Sequence, residues 1–404
     1  MKTRNSPVKT HILPHTRAKL DLYEKYLSRY LMILSASQWI SKINIYDIFC
    51  GTGIYKDGKA GSPIIAFNLI EKNREYYKSK NKIPKDIFLS VNDYDPKNIG
   101  KVKKLLIERN NDICEIEINQ LDASEMFSKV IQNIKSQKSD ERNLIFVDPY
   151  GYKDIHKDDL YNLLNTNKTE IILFLPIAHM HRFKQKAVND FDNISYQKLR
   201  NFIHEFFHND HPICTGKNID KFKFINYLKE AFTFSDEFYT ASFYIQRNRG
   251  NFYALFFITS NILGLEKIVD VIWEIDNDSG RGYDLPKKII VKDINQSSIF
   301  DKLDYKFESP QKKYRIDHLE KIINEYISSN QDVTNKEMTI FILKNQFRLV
   351  HGNHILSKLQ NENKLDVKKV KDGKDARKNA FYLGYNNFNK SEKQLIFNLK
   401  SNNV

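Results

Sequence analysis

An α/β fold built on a mostly parallel sheet follows from three features of the 404-residue chain. Short apolar runs alternate with helically spaced segments five times between residues 43 and 175, and a glycine turn follows the first run. The alternation then ends in two adjacent strand-like runs joined by RNRG. Apolar runs separated by amphipathic helices are the pattern of parallel strands covered on both faces.

The elements read in order as follows. Residues 16–40 place Leu20, Tyr23, Leu27, Tyr30, Leu31 and Leu34 at three- and four-residue spacing, which predicts an amphipathic helix with Thr16 as N-cap. INIYDIF (43–49) is the first strand and CGTG the turn after it. YKDGKAGSP forms an extra loop before the next helix, with Ser62 expected at the N-cap and Pro63 at the first helical position. IFLSVND (87–93), ICEIEIN (113–119), LIFVD (144–148) and EIILFL (170–175) are the remaining parallel strands, each separated from the next by a helical segment. A helical insertion spans about 182–232, and FYTASFYIQ with NFYALFFITS makes a hairpin. A sheet parallel through five strands and closed by an antiparallel hairpin describes the class I S-adenosylmethionine methyltransferase fold better than a dehydrogenase.

The last third has a different pattern. RIDHLEKIINEYIS and HGNHILSKLQNENKL read as amphipathic helices, and between them Thr334 and Glu337 stand in capping-box spacing ahead of a third. Two β-like runs flank the DG dipeptide at 372–373. Three helices and a hairpin predict a winged helix over 310–390, following a Rossmann-like domain over 1–300. Residues 364–378 carry seven Lys or Arg against three Asp, which makes Lys368 and Lys369 candidates for phosphate contact and equally the solvated face of a Lys-rich hairpin.

Composition bounds the function. With 41% apolar and 13% aromatic residues the chain fills real cores, which excludes global disorder. The longest apolar run, IILFLPIA, is too short to span a bilayer, so a soluble cytoplasmic protein is expected. Three cysteines without a CxxC pair argue against a disulfide framework or a thiolate zinc site. The net charge of +14 points to a polyanionic partner, although a Lys-, Asn- and Ile-rich composition accounts for part of it.

The chemistry-bearing residues lie where the parallel strands end. Gly51 and Gly53 let the backbone approach a ligand after the first strand, which closes near Asp47. Asp93 ends the second strand, where a carboxylate accepts hydrogen bonds from both ribose hydroxyls of an adenosine ligand. Asp122 follows the third, either against an adenine amino group or as a helix N-cap. DPYGY ends the fourth, in the position of the [DNS]PP[YF] motif of amino-methyltransferases. There Asp148 and the Pro149 backbone would hold an acceptor amine, Tyr150 would stack on the target base, and Tyr152 would line the substrate side. His181 and Arg182, just after the fifth strand, complete the candidate substrate set. A cytosine-5 mechanism is excluded because no PC dipeptide supplies its nucleophile.

HEFFH (204–208) is a literal match to the zincin HExxH, with Glu230 the nearest third ligand, and defines a competing zinc-hydrolase reading. A helix of the insertion is the alternative.

Taken together, HTRAKLDLYEKYLSRYLMIL, YDIFCGTGIYKDGKAGSPIIA, IFVDPYGY, AHMHRF and YALFFITSNILGLEKIVDVIWEID resemble the three-Cys-motif partner (TcmP) family in order and spacing over most of the chain. The resemblance implies a methyltransferase-like Rossmann core of bacterial or phage-associated systems, encoded beside a three-cysteine, radical-S-adenosylmethionine-like partner. The expected function is S-adenosylmethionine-dependent N-methylation of nucleic acid within such a defence system. The alternative is a catalytically inactive binding module that recruits nucleic acid or the three-cysteine partner.

Overall fold

The computed structural model describes residues 14–215, 218–248, 251–284 and 316–400. The expected boundary at 300–310 lies outside the described residues. The chain divides into two compact units, Met1–Phe238 with Ile245–Ser260, and Tyr239–Tyr244 with Asn261–Val404.

The first unit alternates as the sequence predicts. Its elements are α1 (Pro14–Ala36), β1 (Lys42–Asp47), α2 (Ser62–Ser79), β2 (Asp86–Asn92), α3 (Pro96–Ile107), β3 (Glu115–Asn119), α4 (Ala123–Ser136), β4 (Glu141–Val147), α5 (Lys157–Leu164) and β5 (Thr169–Leu175). The insertion follows as α6 (Ile177–Asn189), α7 (Gln197–Phe206) and α8 (Lys221–Ala231), before β6 (Tyr239–Asn248), whose first six residues fall in the second unit, and β7 (Asn251–Thr259). With β8 (Gly282–Asp284) the sheet order is β3-β2-β1-β4-β5-β7-β6-β8. β1 pairs in parallel with β2 and β4, β2 with β3, and β4 with β5, whereas β7 runs antiparallel to β5. The α/β class and the mostly parallel sheet are therefore as expected.

Burial explains why these runs are strands. Every residue of β5 is buried, as are Leu144 to Val147 of β4, so both faces of the sheet centre are covered. Helix α1 buries Leu20, Leu22, Tyr23, Tyr26, Leu27 and Leu31, each at most 4% exposed. Tyr23 packs on Phe146 with ring centroids 4.3 Å apart, and Tyr26 on Phe257 at 4.7 Å. The expected start at Thr16 is corrected, since the helix already includes Pro14. Proline is tolerated in a first turn, whose N–H groups lack intrahelical partners.

In the second unit, α9 (Ile262–Ile275) precedes α10 (Ile316–Ser329), β9 (Val333–Thr334), α11 (Asn335–Lys344), α12 (Leu349–Asn361), β10 (Leu365–Lys369) and β11 (Leu395–Leu399). The last three strands form an antiparallel sheet of order β10-β11-β9. Thr334 and Glu337 make the expected capping box on α11. The run after Asp372 and Gly373 is not a strand: it touches β10 by one isolated bridge, Lys368 to Asp375, and the ladder partner of β10 is β11. Gln346, fully buried, pairs its amide with the Ser242 backbone, accepting from Ser242 N at 3.0 Å and donating to Ser242 O at 2.8 Å. Trp273 Nε1 donates to Gln346 O at 2.7 Å.

Candidate functional site

Sheet register brings the acidic residues together. Asp47 at the end of β1 stands opposite Val91 on β2 and Phe146 on β4. Asp93 and Asp148 each lie two residues beyond those partners, so they flank the chain as it leaves β1. Carboxyl ends of parallel strands are where open α/β sheets bind ligands.

The glycine turn occupies the space between. Gly51 and Gly53 have φ of 62° and 76°, a region that favours glycine. A Cβ on Gly53 would also come within 3.1 Å of Val102 Cγ2. Asp93, 6% exposed, anchors the turn: one carboxylate oxygen accepts from Gly51 N at 3.0 Å, the other from Asp95 N at 2.8 Å and Asn98 Nδ2 at 3.1 Å. Asn92 ties the same ends together by donating to Ile48 O and Leu121 O and accepting from Leu121 N.

The extra loop is a tight hairpin. Ile54 bridges Ala60, Tyr55 N donates to Lys59 O at 2.9 Å, and Gly61 N to Gly53 O at 2.6 Å. Helix α2 therefore begins at Ser62 with Gly61 as N-cap and no side-chain cap, which corrects the expected Ser62 cap. The Tyr55 hydroxyl is pushed above its ordinary value by burial and by Asp148 and Asp47, which places it at the acidic end of the site.

Asp47 is fully buried, and among the described residues neither carboxylate oxygen is given a hydrogen-bond partner. Burial raises its pKa to about 7; Ser62 opposes the rise, Asp148 adds to it, and the Phe49 amide and Lys19 oppose it. Lys19, on α1, places its ammonium on Asp148 Oδ2 and 4.7 Å from the centre of the Phe174 ring. Phe174 stacks on Tyr253, and Tyr253 on His15. Pro149 is buried, whereas Tyr150 is 85% exposed, and Tyr94, one residue past Asp93, is 76% exposed. The Tyr150 hydroxyl is raised by desolvation and then by Asp93 and Asp148.

Not every candidate joins this cluster. Asp122 is the N-cap of α4, in a reciprocal capping box with Glu125. Tyr152 contacts the insertion, its hydroxyl 3.3 Å from His179 Nδ1 and its ring 5.6 Å from that of Phe202. His181 Nε2 donates to Ile219 O at 2.7 Å, and its ring meets the Phe224 and Phe252 rings. Arg182 is exposed, its guanidinium over Phe183 at 5.9 Å. Lys368 pairs with Asp366 at 3.2 Å, and Lys369, at the end of β10, donates its backbone N–H to Lys374 O.

The HEFFH residues are not arranged as in a zincin helix. Helix α7 ends at Phe206, so His204 and His208 do not share a helical face one turn apart. Glu205 instead accepts from Lys157 N at 2.5 Å and lies 3.3 Å from His156 Nδ1, capping α5. Among the described residues no group of three His, Cys, Asp or Glu is placed to hold a metal. No described helix is long and apolar enough to cross a membrane.

Sequence reasoning missed Lys19, Tyr55 and Asn92, and gave Glu205 a part only in HEFFH. A signal existed for Lys19, which stands four residues before Tyr23 on the apolar stripe of α1, where a charged residue requires a partner.

A second buried acid lies at the start of β5. Glu170 accepts from Tyr26 Oη at 2.5 Å and Thr259 Oγ1 at 3.3 Å, and burial raises its pKa to about 7 against those two hydrogen bonds and Arg142. In the folded protein Asp47 and Glu170 hold their protons to about pH 7, whereas their ordinary values are 3.8 and 4.5. The folded state therefore binds more protons between those limits. The stability this supplies is greatest at low pH and is lost as pH rises through 7, by up to ~1.4 kcal/mol per unit per group. Denaturant midpoints should fall from pH 5 to pH 8, and Glu170→Gln should flatten the profile; an unchanged midpoint in the wild type would contradict the buried-acid assignment.

No family model matches the chain, and no curated protein does. Among solved structures it is similar to the bifunctional kinase-methyltransferase WbdD (12% identity over 63% of this chain and 44% of that one, TM-score 0.32). It is also similar to an O-methyltransferase from Bacillus cereus in complex with SAH (11%, 62% and 84%, TM-score 0.30). A third is a DUF574 family protein from Streptomyces avermitilis (11%, 60% and 83%, TM-score 0.32). The chain thus spans less than half the length of WbdD.

Proposed function

We propose that the chain is an S-adenosylmethionine-dependent N-methyltransferase acting on nucleic acid. The observation that carries this reading is the meeting of the Gly51–Gly53 turn, Asp93 and Asp148 at the carboxyl ends of β1, β2 and β4, in a sheet of order 3-2-1-4-5-7-6. That order, with β7 antiparallel, is the one expected for a class I methyltransferase. Asp47, the glycine turn and Asp93 would hold the cofactor, whose sulfonium supplies an electrophilic methyl group. Asp122, engaged as a helix cap, would touch the adenine only from its exposed side. Asp148 and the Pro149 backbone would accept hydrogen bonds from the acceptor amine, with Tyr150 presenting a ring for a base to stack on.

The element order α10-β9-α11-α12-β10-β11 supports a winged helix, with Lys368, Lys369 and the basic turn beyond them set for phosphate contact. Tyr152, His181 and Arg182 would act on the substrate side mainly through the shape of the insertion. A three-cysteine, radical-S-adenosylmethionine-like partner and a cytoplasmic defence role follow from the resemblance to the TcmP family.

One observation favours a second reading. Asp93 already uses three of about four acceptor positions on its own chain, as it would in a fold that binds partners without a cofactor.

Calorimetric titration with S-adenosylmethionine and S-adenosylhomocysteine separates the two. Micromolar binding is expected, weakened about 10- to 100-fold in Asp93→Ala, the value of hydrogen bonds to a charged group. No heat at millimolar ligand would remove the enzyme reading and leave the binding module.

A further inference from the structure

We infer that Lys19 is a specificity-determining residue of the acceptor subsite, restricting it to neutral amines such as the exocyclic amine of a nucleobase and excluding protonated alkylamines. This deepens, and rests on, the methyltransferase reading above.

The carboxylate assigned to the acceptor already holds an ammonium group. Lys19 and Asp148 are 129 residues apart in sequence, and their side chains are 8% and 24% exposed. Phe174 lies over the Lys19 ammonium, backed by the stacked rings of Tyr253 and His15, so the cation is held between a carboxylate and an aromatic face. Lys19 is not carried by a detachable plug. It projects from a helix whose Leu22, Tyr23 and Leu27 are fully buried, so it stays in the site as long as the protein is folded.

The other oxygen of Asp148 has no partner among the described residues. It can accept an N–H from an incoming amine. A neutral amine held there would direct its lone pair at the methyl group that S-adenosylmethionine would supply: the C–N bond would form as the S–C bond broke, its electron pair staying on sulfur as a thioether. The proton released from nitrogen passes by way of Asp148 to water. A protonated alkylamine has no lone pair to offer, and it would sit a few ångströms from the largely buried Lys19 ammonium, where like charges repel more strongly than in bulk water. The fixed cation therefore selects by charge before it selects by shape.

The experiment supplies methyl-labelled S-adenosylmethionine with two acceptor pools, mixed-sequence RNA and DNA in one, poly-L-lysine and spermine in the other. The wild type should label nucleic acid and leave the alkylamines at background. In Lys19→Met the ratio of alkylamine to nucleic-acid labelling should rise by at least about tenfold. Equal labelling of both pools by the wild type, or an unchanged ratio in Lys19→Met, overturns the inference. So does labelling of neither pool by protein that binds the cofactor, because Asp148 then serves Lys19 alone.

Acetylation of Lys19 by acetic anhydride, read by mass spectrometry, needs no turnover. It should be slow in the wild type, where the carboxylate favours the unreactive ammonium form, and about tenfold faster in Asp148→Asn; equal rates overturn the ion pair and the inference with it. Absence of cofactor binding would instead defeat the parent reading, while the acetylation rates still report on Lys19.

Discussion

Asp148→Ala should lower methyl transfer by about 10²- to 10⁴-fold, the range spanned by loss of a group that positions and relieves a reacting nitrogen, while the cofactor dissociation constant changes less than about threefold. The separation follows from the proposed roles: Asp148 contacts Lys19 and would face the acceptor, whereas Gly51 is held by Asp93. The substitution also strands a buried cation. Lys19 would lose its carboxylate, so Lys19→Met/Asp148→Ala serves as a partner variant in which no charge is left uncompensated. If the double variant folds, binds cofactor and still transfers methyl groups at the wild-type rate, Asp148 has no part in catalysis. Loss of cofactor binding in both variants would mean that Asp148 belongs to the cofactor subsite.

The largest loss of stability is expected in the second unit. Trp273, 3% exposed, donates to Gln346 O and meets the His351 ring edge-on at 4.3 Å. Gly280 sits directly against the indole, so close that a Cβ there would lie 2.3 Å from Nε1. Trp273→Ala opens a cavity of indole size and leaves a buried carbonyl without its donor, which together cost about 3–5 kcal/mol. Trp273→Phe keeps part of the packing and should cost roughly half as much. Urea unfolding followed by circular dichroism reads both. A loss below about 1 kcal/mol for the alanine variant would show that the indole does not hold α9 to the Gln346 turn.

Local signals were legible in the sequence. The parallel strands stand out because both faces are buried, which leaves continuous apolar runs such as LIFV and IILFL. Capping boxes at Asp122 and Thr334 were readable because their partners lie three residues away. The glycine turn and Asp93 were readable as separate motifs, but not their hydrogen bond, since the partners stand 42 positions apart. What escaped reading is long-range. Nothing near Asp148 announces Lys19, and nothing near Glu170 announces Tyr26, 144 residues earlier. The pairing of Gln346 with Ser242 likewise spans 104 residues and depends on where a turn falls. HEFFH misled for the opposite reason: a short pattern was complete in sequence, but the helix stops inside it.

The architecture of α1 also bears on how the protein is made. The partners of its apolar face and of Lys19 are Phe146, Asp148, Glu170, Tyr253 and Phe257, all synthesised long after the helix itself. At roughly 5–20 residues per second, the 129 residues between Lys19 and Asp148 take about 6–26 s to emerge. During that interval α2, which packs against α1, is available to shelter part of a stripe of Leu and Tyr side chains. Helix α1 is thus made well before most of its partners and is among the last elements to be fully matched, and it is a segment of the nascent chain that a holdase chaperone would be expected to occupy.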